Sequence, residues 1–311
     1  MNKLISIITP TFNEESNIER LCLDIASEMK NSNYQYEHIV IDNFSTDQTI
    51  PILRKLSLKD KNLKIIINAR NFGHIRSPIY GMLQANGEAL ILMNSDFQDP
   101  VSLIPKYIKE WENGNKVVMA QKISSDEDVK VSFIRKVFYK FIKKISEVSL
   151  PTNTTGSGLY DREIIEKIRE INDPYPYFRG LIPEITNEVK LMPFHQPERF
   201  AGKTKNNLYT LYDIGILGII KHSKIPLRFF TFIGLATSII SLIVAIIFFI
   251  RKLLDWESFT VGVAPLIIGF FFIASLQIFL LGFIGEYVMN ILTQTRKMPL
   301  VIEKERINFD N

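Results

Sequence analysis

The stretch "ALILMNSDFQDP", residues 89–100, decides how the rest of the chain is read. Ala89 to Met93 are apolar without a break, as at the end of a strand covered on both faces. The chain then turns polar at once, through Asn94, Ser95, Asp96, Gln98 and Asp99. A core strand that ends this way leads either into a turn and a helix or into a seat for a cation. Asp99 stands before Pro100 and a helical segment, where it either caps that helix or belongs to the oxygen cluster.

The same pattern recurs on both sides. Apolar runs at 4–9 ("LISIIT"), 36–43 ("YEHIVIDN"), 63–68 ("LKIIIN"), 88–94 ("EALILMN") and 116–122 ("KVVMAQK") read as strands. Between them, segments from about Ser16 to Lys30, 48–58, Ser77 to Ala85 and 101–114 read as helices, the last closed by Gly114. Alternating strands and helices imply an α/β domain with a mostly parallel sheet and flanking helices. Ligands of such sheets bind at the carboxyl ends of the strands. Polar residues collect there four times: Thr11, Asn13 and Glu14; Asp42 and Asp47; Arg70 and Asn71; and the 94–99 cluster. No Gly-x-Gly-x-x-Gly or Gly-Lys-Thr follows the first strand, which excludes a dinucleotide fold and a P-loop.

Composition narrows the classes further. A net charge of +4 over 311 residues is too mild for nucleic acid to be a partner. A single cysteine, Cys22, leaves no internal disulfide and no cysteine-based zinc site, and the four histidines lack ligand spacing. Residues 229–250 and 262–284 carry no charge, and each exceeds the roughly 20 residues that cross a bilayer core. Lys and Arg favour the outer flanks of this pair, which places both termini in the cytoplasm. The expected order is a cytoplasmic catalytic domain (1–205), an amphipathic juxtamembrane segment (206–228), two transmembrane helices (229–250 and 262–284) and a cytoplasmic tail (285–311). A basic helical stretch at 122–147 either lies on an anionic membrane surface or packs on its own domain.

The motifs "IITPTFNEESNI", "VIDNFSTDQTI", "ARNFGHIRSPIYGML" and "LMNSDFQDP" resemble glycosyltransferase family 2 in order and spacing. "TTGSGLYDREII", "YFRGLIP", "RFAGKTKNNLYTLYDIGI", the two apolar runs and "GEYVMNI" resemble its polyprenyl-phosphate branch. That branch includes dolichol-phosphate mannose synthase and the bactoprenol glucosyltransferases. The resemblance implies a GT-A fold and an inverting transfer of a hexose, UDP-glucose being the first choice of donor. The acceptor is a polyprenyl phosphate, the setting the cytoplasmic (inner) membrane, and the product serves cell-envelope glycan modification. A homotetramer is among the assemblies it allows.

Carried over residue by residue, Pro10, Phe12, Glu14 and Asp42 line the base and ribose pocket. Arg70, Asn71, Asn94 and Ser95 complete the nucleotide-sugar site, and Asp96 and Gln98 hold Mg²⁺ or Mn²⁺ on the diphosphate. Arg135, Arg199, Lys203 and Lys205 are the cations expected to hold the acceptor phosphate in line. The chain departs from the family pattern in three places. Asn94 stands where the first Asp of Asp-x-Asp is usual, Asn43-Phe44 replaces Asp-Gly, and Ser157 takes the place of a carboxylate. With one charge missing, Asn94→Asp is expected to tighten the metal. The competing readings are a polysaccharide synthase and a non-catalytic membrane scaffold; two spans are few for a sugar channel, and Asp42, Asp96, Gln98, Arg179 and Lys203 argue against a scaffold.

Overall fold

The structure, a computed structural model, describes residues 3–125, 153–197, 217–218, 221, 225–254, 263–296 and 298–309. Arg135, Arg199, Lys203 and Lys205, nearly all of the basic stretch and most of the juxtamembrane segment lie outside the described residues.

Eight strands form one sheet in the order β7-β5-β6-β4-β1-β2-β3-β8. Its centre is parallel: β4 (Ala89–Leu92), β1 (Leu4–Thr11), β2 (Gln35–Asp42) and β3 (Leu63–Asn68). β6 (Thr154–Asp161) enters antiparallel between β4 and β5 (Val117–Ser125), and β7 (Lys190–Gln196) pairs parallel with β5. The expected parallel α/β sheet is therefore present, with antiparallel strands added at both sides.

Alternate residues of the central strands face opposite layers, as the pleat requires. Ile5, Ile7 and Ile91 pack under α1 (Ile18–Lys30) and α4 (Ile104–Glu112), beside Leu21, Ile25 and Tyr107. Ile8, Ile41, Leu90 and Leu92 face the other side, under α3 (Gly73–Leu83), α5 (Arg162–Ile171) and α6 (Phe178–Ile185). Burying each such side chain is worth roughly 1.5–3 kcal/mol, which explains why these strands are apolar throughout. A short helix, α2 (Thr49–Ser57), covers Val40, Ile65 and Ile67.

The chain runs from β1 out to β3 and then returns to β4 on the other side of β1. The switch point of the topology therefore lies between the carboxyl ends of β1 and β4, where such sheets bind ligands.

Two long helices follow: α7 (Ile225–Leu254, 30 residues) and α8 (Val263–Thr295, 33 residues). Both expose large apolar side chains, among them Phe229, Phe232, Ile250, Leu266, Phe270 and Phe279. Among the described residues one window, Phe272–Thr295, has the length and apolarity of a membrane-crossing helix, with mean hydropathy 1.7 and none of it buried. Residues 285–295, expected in the tail, continue α8. The chain then returns to the sheet as β8 (Glu303–Ile307), antiparallel to β3. The end of α8 is also tied to the α/β fold, because Gln294 Nε2 donates to Asp173 Oδ1 at 2.9 Å. Lys221 pairs with the same carboxylate.

Candidate active site

Among the described residues, those holding left-handed backbone just after the central parallel strands stand at the rim where the sequence gathers its polar groups. They are Asn13 (φ 53°) after β1, Phe44 (φ 71°) after β2 and Phe97 (φ 58°) after β4. Asn tolerates this region, but each Phe costs roughly 1–3 kcal/mol there. Such cost persists only where surrounding contacts impose the shape, and the hydrogen bonds at the rim do so.

The β1 and β2 loops are stitched together. Ser45 Oγ accepts from Asn13 N (2.8 Å), Asn13 Oδ1 accepts from Thr46 N (2.7 Å), and Thr49 Oγ1 accepts from Glu14 N (2.9 Å). Asp42 is fully buried and spends both oxygens on Ser45, accepting from its backbone N at 2.8 Å and its Oγ at 2.5 Å. Burial pushes the Asp42 carboxyl above its usual range, against the pull of those Ser45 bonds. Asp42, expected against the base and ribose, thus shapes the loop from beneath. Glu14 accepts from Asn17 Nδ2 at 2.6 Å; Pro10, Phe12 and Glu14 are all half-buried on the β1 side.

The β3 loop joins through Asn43, a residue singled out above only as a departure. Its Nδ2 donates to Asn71 Oδ1 (2.9 Å) and to Gly73 O (3.1 Å). Its Oδ1 accepts from Asn68 Nδ2 (3.1 Å) and Phe72 N (2.8 Å). A carboxylate could not make the two donor bonds. Asn71, expected against the nucleotide sugar, is an exposed brace whose Oδ1 also accepts from Gly73 N. Arg70 is exposed, with its guanidinium 4.2 Å from the centre of the Phe72 ring.

Across the switch point, the loop after β4 carries Asn94, Ser95, Asp96 and Gln98. Ser95 and Asp96 are buried, and Asp96 Oδ1 accepts from Gln98 N at 3.2 Å. Asp99 does not cap a helix: the short 3₁₀ turn at Val101–Leu103 is preceded by Pro100 and has no side-chain cap. Asp99 is instead 1 % exposed and receives Asn94 Nδ2 at 2.9 Å and Ser157 Oγ at 2.6 Å on the same oxygen. Asn94 Nδ2 also donates to Ser157 Oγ at 3.1 Å, which closes a three-membered ring between the β4 loop and β6. The partnership joins residues 63 positions apart, so neither motif alone could reveal it. Gly158 follows, and a Cβ there would lie 2.1 Å from Val118 O.

The donors present determine what cation would fit. Among the described residues no group of three or more His, Cys, Asp and Glu gathers at ligand spacing. The β4 loop offers the carboxylate of Asp96 and the neutral oxygen of Gln98, while the Asn94 amide is turned toward Asp99. That set suits a hard cation that keeps several sites for water and phosphate oxygen, and not one caged by protein alone.

A polar rim at the switch point of a mostly parallel sheet is where enzymes of this architecture seat their ligands. The chain belongs to glycosyl transferase family 2, whose pattern matches residues 6–169. It is 30 % identical to an uncharacterized glycosyltransferase of Synechocystis over 96 % of this chain and 94 % of that one. It is 28 % identical to a prophage bactoprenol glucosyl transferase homolog of Escherichia coli, over 96 % and 98 % of the two chains. Among solved structures, glucosyl-3-phosphoglycerate synthase from Mycobacterium tuberculosis superposes with a TM-score of 0.49 at 16 % identity, over 70 % of this chain and 77 % of that one.

Proposed function

We propose that this chain transfers a hexose, with UDP-glucose as the first-choice donor, to a membrane polyprenyl phosphate with inversion at the anomeric carbon. The product is a polyprenyl-phosphate sugar for cell-envelope glycan modification. The observation that carries this reading is the joining of a family 2 fold to two long helices with exposed apolar side chains. At about 1.5 Å per residue each helix exceeds the roughly 30 Å hydrocarbon core, and both fit a two-span anchor in the cytoplasmic membrane. The bactoprenol glucosyl transferase names of its full-length relatives support the same acceptor.

The donor nucleotide binds along the β1 and β2 loops, between Pro10, Phe12 and Glu14, with Asp42 holding the loop from below. Asp96 and Gln98 face the diphosphate. A Mg²⁺ or Mn²⁺ ion held there supplies charge neutralisation as the leaving diphosphate gathers negative charge. The acceptor phosphate is already an anion at neutral pH, so no residue has to remove its proton. Arg135, Arg199, Lys203 and Lys205 provide the cationic groups that hold it in line.

Membranes containing the chain, given a panel of sugar nucleotides, test this reading through the mass of the extracted lipid. The expected product is one hexose on a polyprenyl phosphate. Sugar recovered only in a polymer, or no lipid-linked sugar from any donor, would overturn it.

A further inference from the structure

We infer that Asp99 is the positioning residue of the Asp96 loop, and that Asn94 and Ser157 are matched to it as neutral donors. The inference rests on the sugar-nucleotide reading of the site.

Asp99 carries a carboxylate that is 1 % exposed, and two neutral donors converge on its Oδ2. Because Asn94 also bonds Ser157, each of the three side chains contacts the other two. Asn94 and Asp99 stand at either end of the loop that carries Asp96 and Gln98, and Ser157 anchors both to β6. Phe97, at the apex, is in left-handed backbone, a shape that needs its flanks pinned. The ring therefore sets where the Asp96 oxygens stand without itself touching the ligand.

This geometry reverses the sign expected for one substitution. An aspartate at position 94 would bring a second carboxylate to the 2.9 Å contact with Asp99, and it would have no hydrogen to donate there. Asn94→Asp alone should loosen the loop and weaken the cation site despite the added charge. Exchanging the pair, Asn94→Asp with Asp99→Asn, restores one acid and one amide in the same contact. Ser157→Ala removes one donor and leaves the other.

The experiment measures Mn²⁺ binding by electron paramagnetic resonance with UDP present, UDP binding without metal, and the unfolding temperature, each on the full chain in detergent. Partners that orient metal ligands typically change affinity by about 10–100-fold when removed. Asn94→Asp is expected to raise the Mn²⁺ dissociation constant at least about tenfold, and the exchanged pair to return it to within about threefold of the unsubstituted chain. UDP binding without metal should stay unchanged in Ser157→Ala. Tighter Mn²⁺ binding by Asn94→Asp alone, or no recovery in a folded exchanged pair, would overturn the inference. Lower unfolding temperatures with unaltered Mn²⁺ affinity would overturn it too, by showing a purely structural ring. Failure to bind UDP in the unsubstituted chain would instead sink the sugar-nucleotide reading.

Discussion

Arg54 on α2 and Glu305 on β8 stand 251 residues apart and meet in a two-pronged ion pair, with nitrogen–oxygen distances of 2.6 and 2.5 Å. The pair sits on the strand that brings the chain back to the catalytic sheet after its long apolar helices. Its side chains are 48 % and 34 % exposed, so solvent screens it. Arg54→Ala should therefore cost less than about 1 kcal/mol. Asn308 does more, since its Nδ2 donates to Ser57 O at 2.8 Å and Leu63 O at 2.9 Å. Losing those bonds should cost about 1–3 kcal/mol. Thermal unfolding of the two variants checks the ranking, and a larger loss for Arg54→Ala would mean the ion pair dominates the return strand.

His38 predicts an acid sensitivity. It is buried on β2, its Nε2 lies 2.9 Å from Thr9 Oγ1, and burial lowers its pKa from 6.5 to about 4, against a small opposing pull from Asp60. Between those values the unfolded chain takes up a proton that the folded chain refuses. Stability is thus intact above about pH 6.5 and falls as the pH drops toward 4, by roughly 3 kcal/mol in all. His38→Gln should flatten that part of the difference curve in denaturant titrations from pH 7 to 4. An identical slope in both chains would mean that carboxylates alone set it.

Asn43→Asp tests the brace between the β2 and β3 loops. Two donor bonds are lost, and the nucleotide-sugar concentration for half-maximal rate should rise about tenfold, as for roughly 1.4 kcal/mol. The polyprenyl-phosphate requirement should not change. Steady-state kinetics varying each substrate in turn decide it; equal changes in both would show that the brace serves the whole fold.

Much of this architecture was legible in the sequence because it follows from burial. The runs around Ile5, Ile39, Ile65 and Ile91 are apolar on both faces, and their polar ends lie on one rim because the strands are parallel. β8 was not legible. "EKERI" carries four successive charges, alternates half-buried with exposed positions and has no apolar run, and it forms a strand only because the β3 edge is there to pair with. The strand β6 was hidden similarly, since Gly156, Ser157 and Gly158 lower its propensity while close approach to Val118 demands the last glycine. In the site, the residue types were visible but their partners were not. Asn94 and Ser157 read as two separate losses of charge until the fold placed both on Asp99.

Gly158→Ala gives a test of that close approach. The added Cβ would stand 2.1 Å from a backbone carbonyl at a φ of +155°, so the β5–β6 contact has to open. Expression should fail or the unfolding temperature collapse. Gly114→Ala, with nothing within 4 Å of its added Cβ, should cost only the left-handed backbone term of about 1–2 kcal/mol. Similar losses in the two variants would contradict the packing described for β6.

In the proposed reaction the Asp96 loop serves sugar transfer to a lipid phosphate. The most direct test of this role is the yield of hexose-linked polyprenyl phosphate from equal amounts of the unsubstituted chain and Asp96→Ala, matched for unfolding temperature. Lipid-linked hexose is expected from the first, with a drop on the order of a thousandfold in the second, several kcal/mol of barrier. Equal yields from both would contradict it.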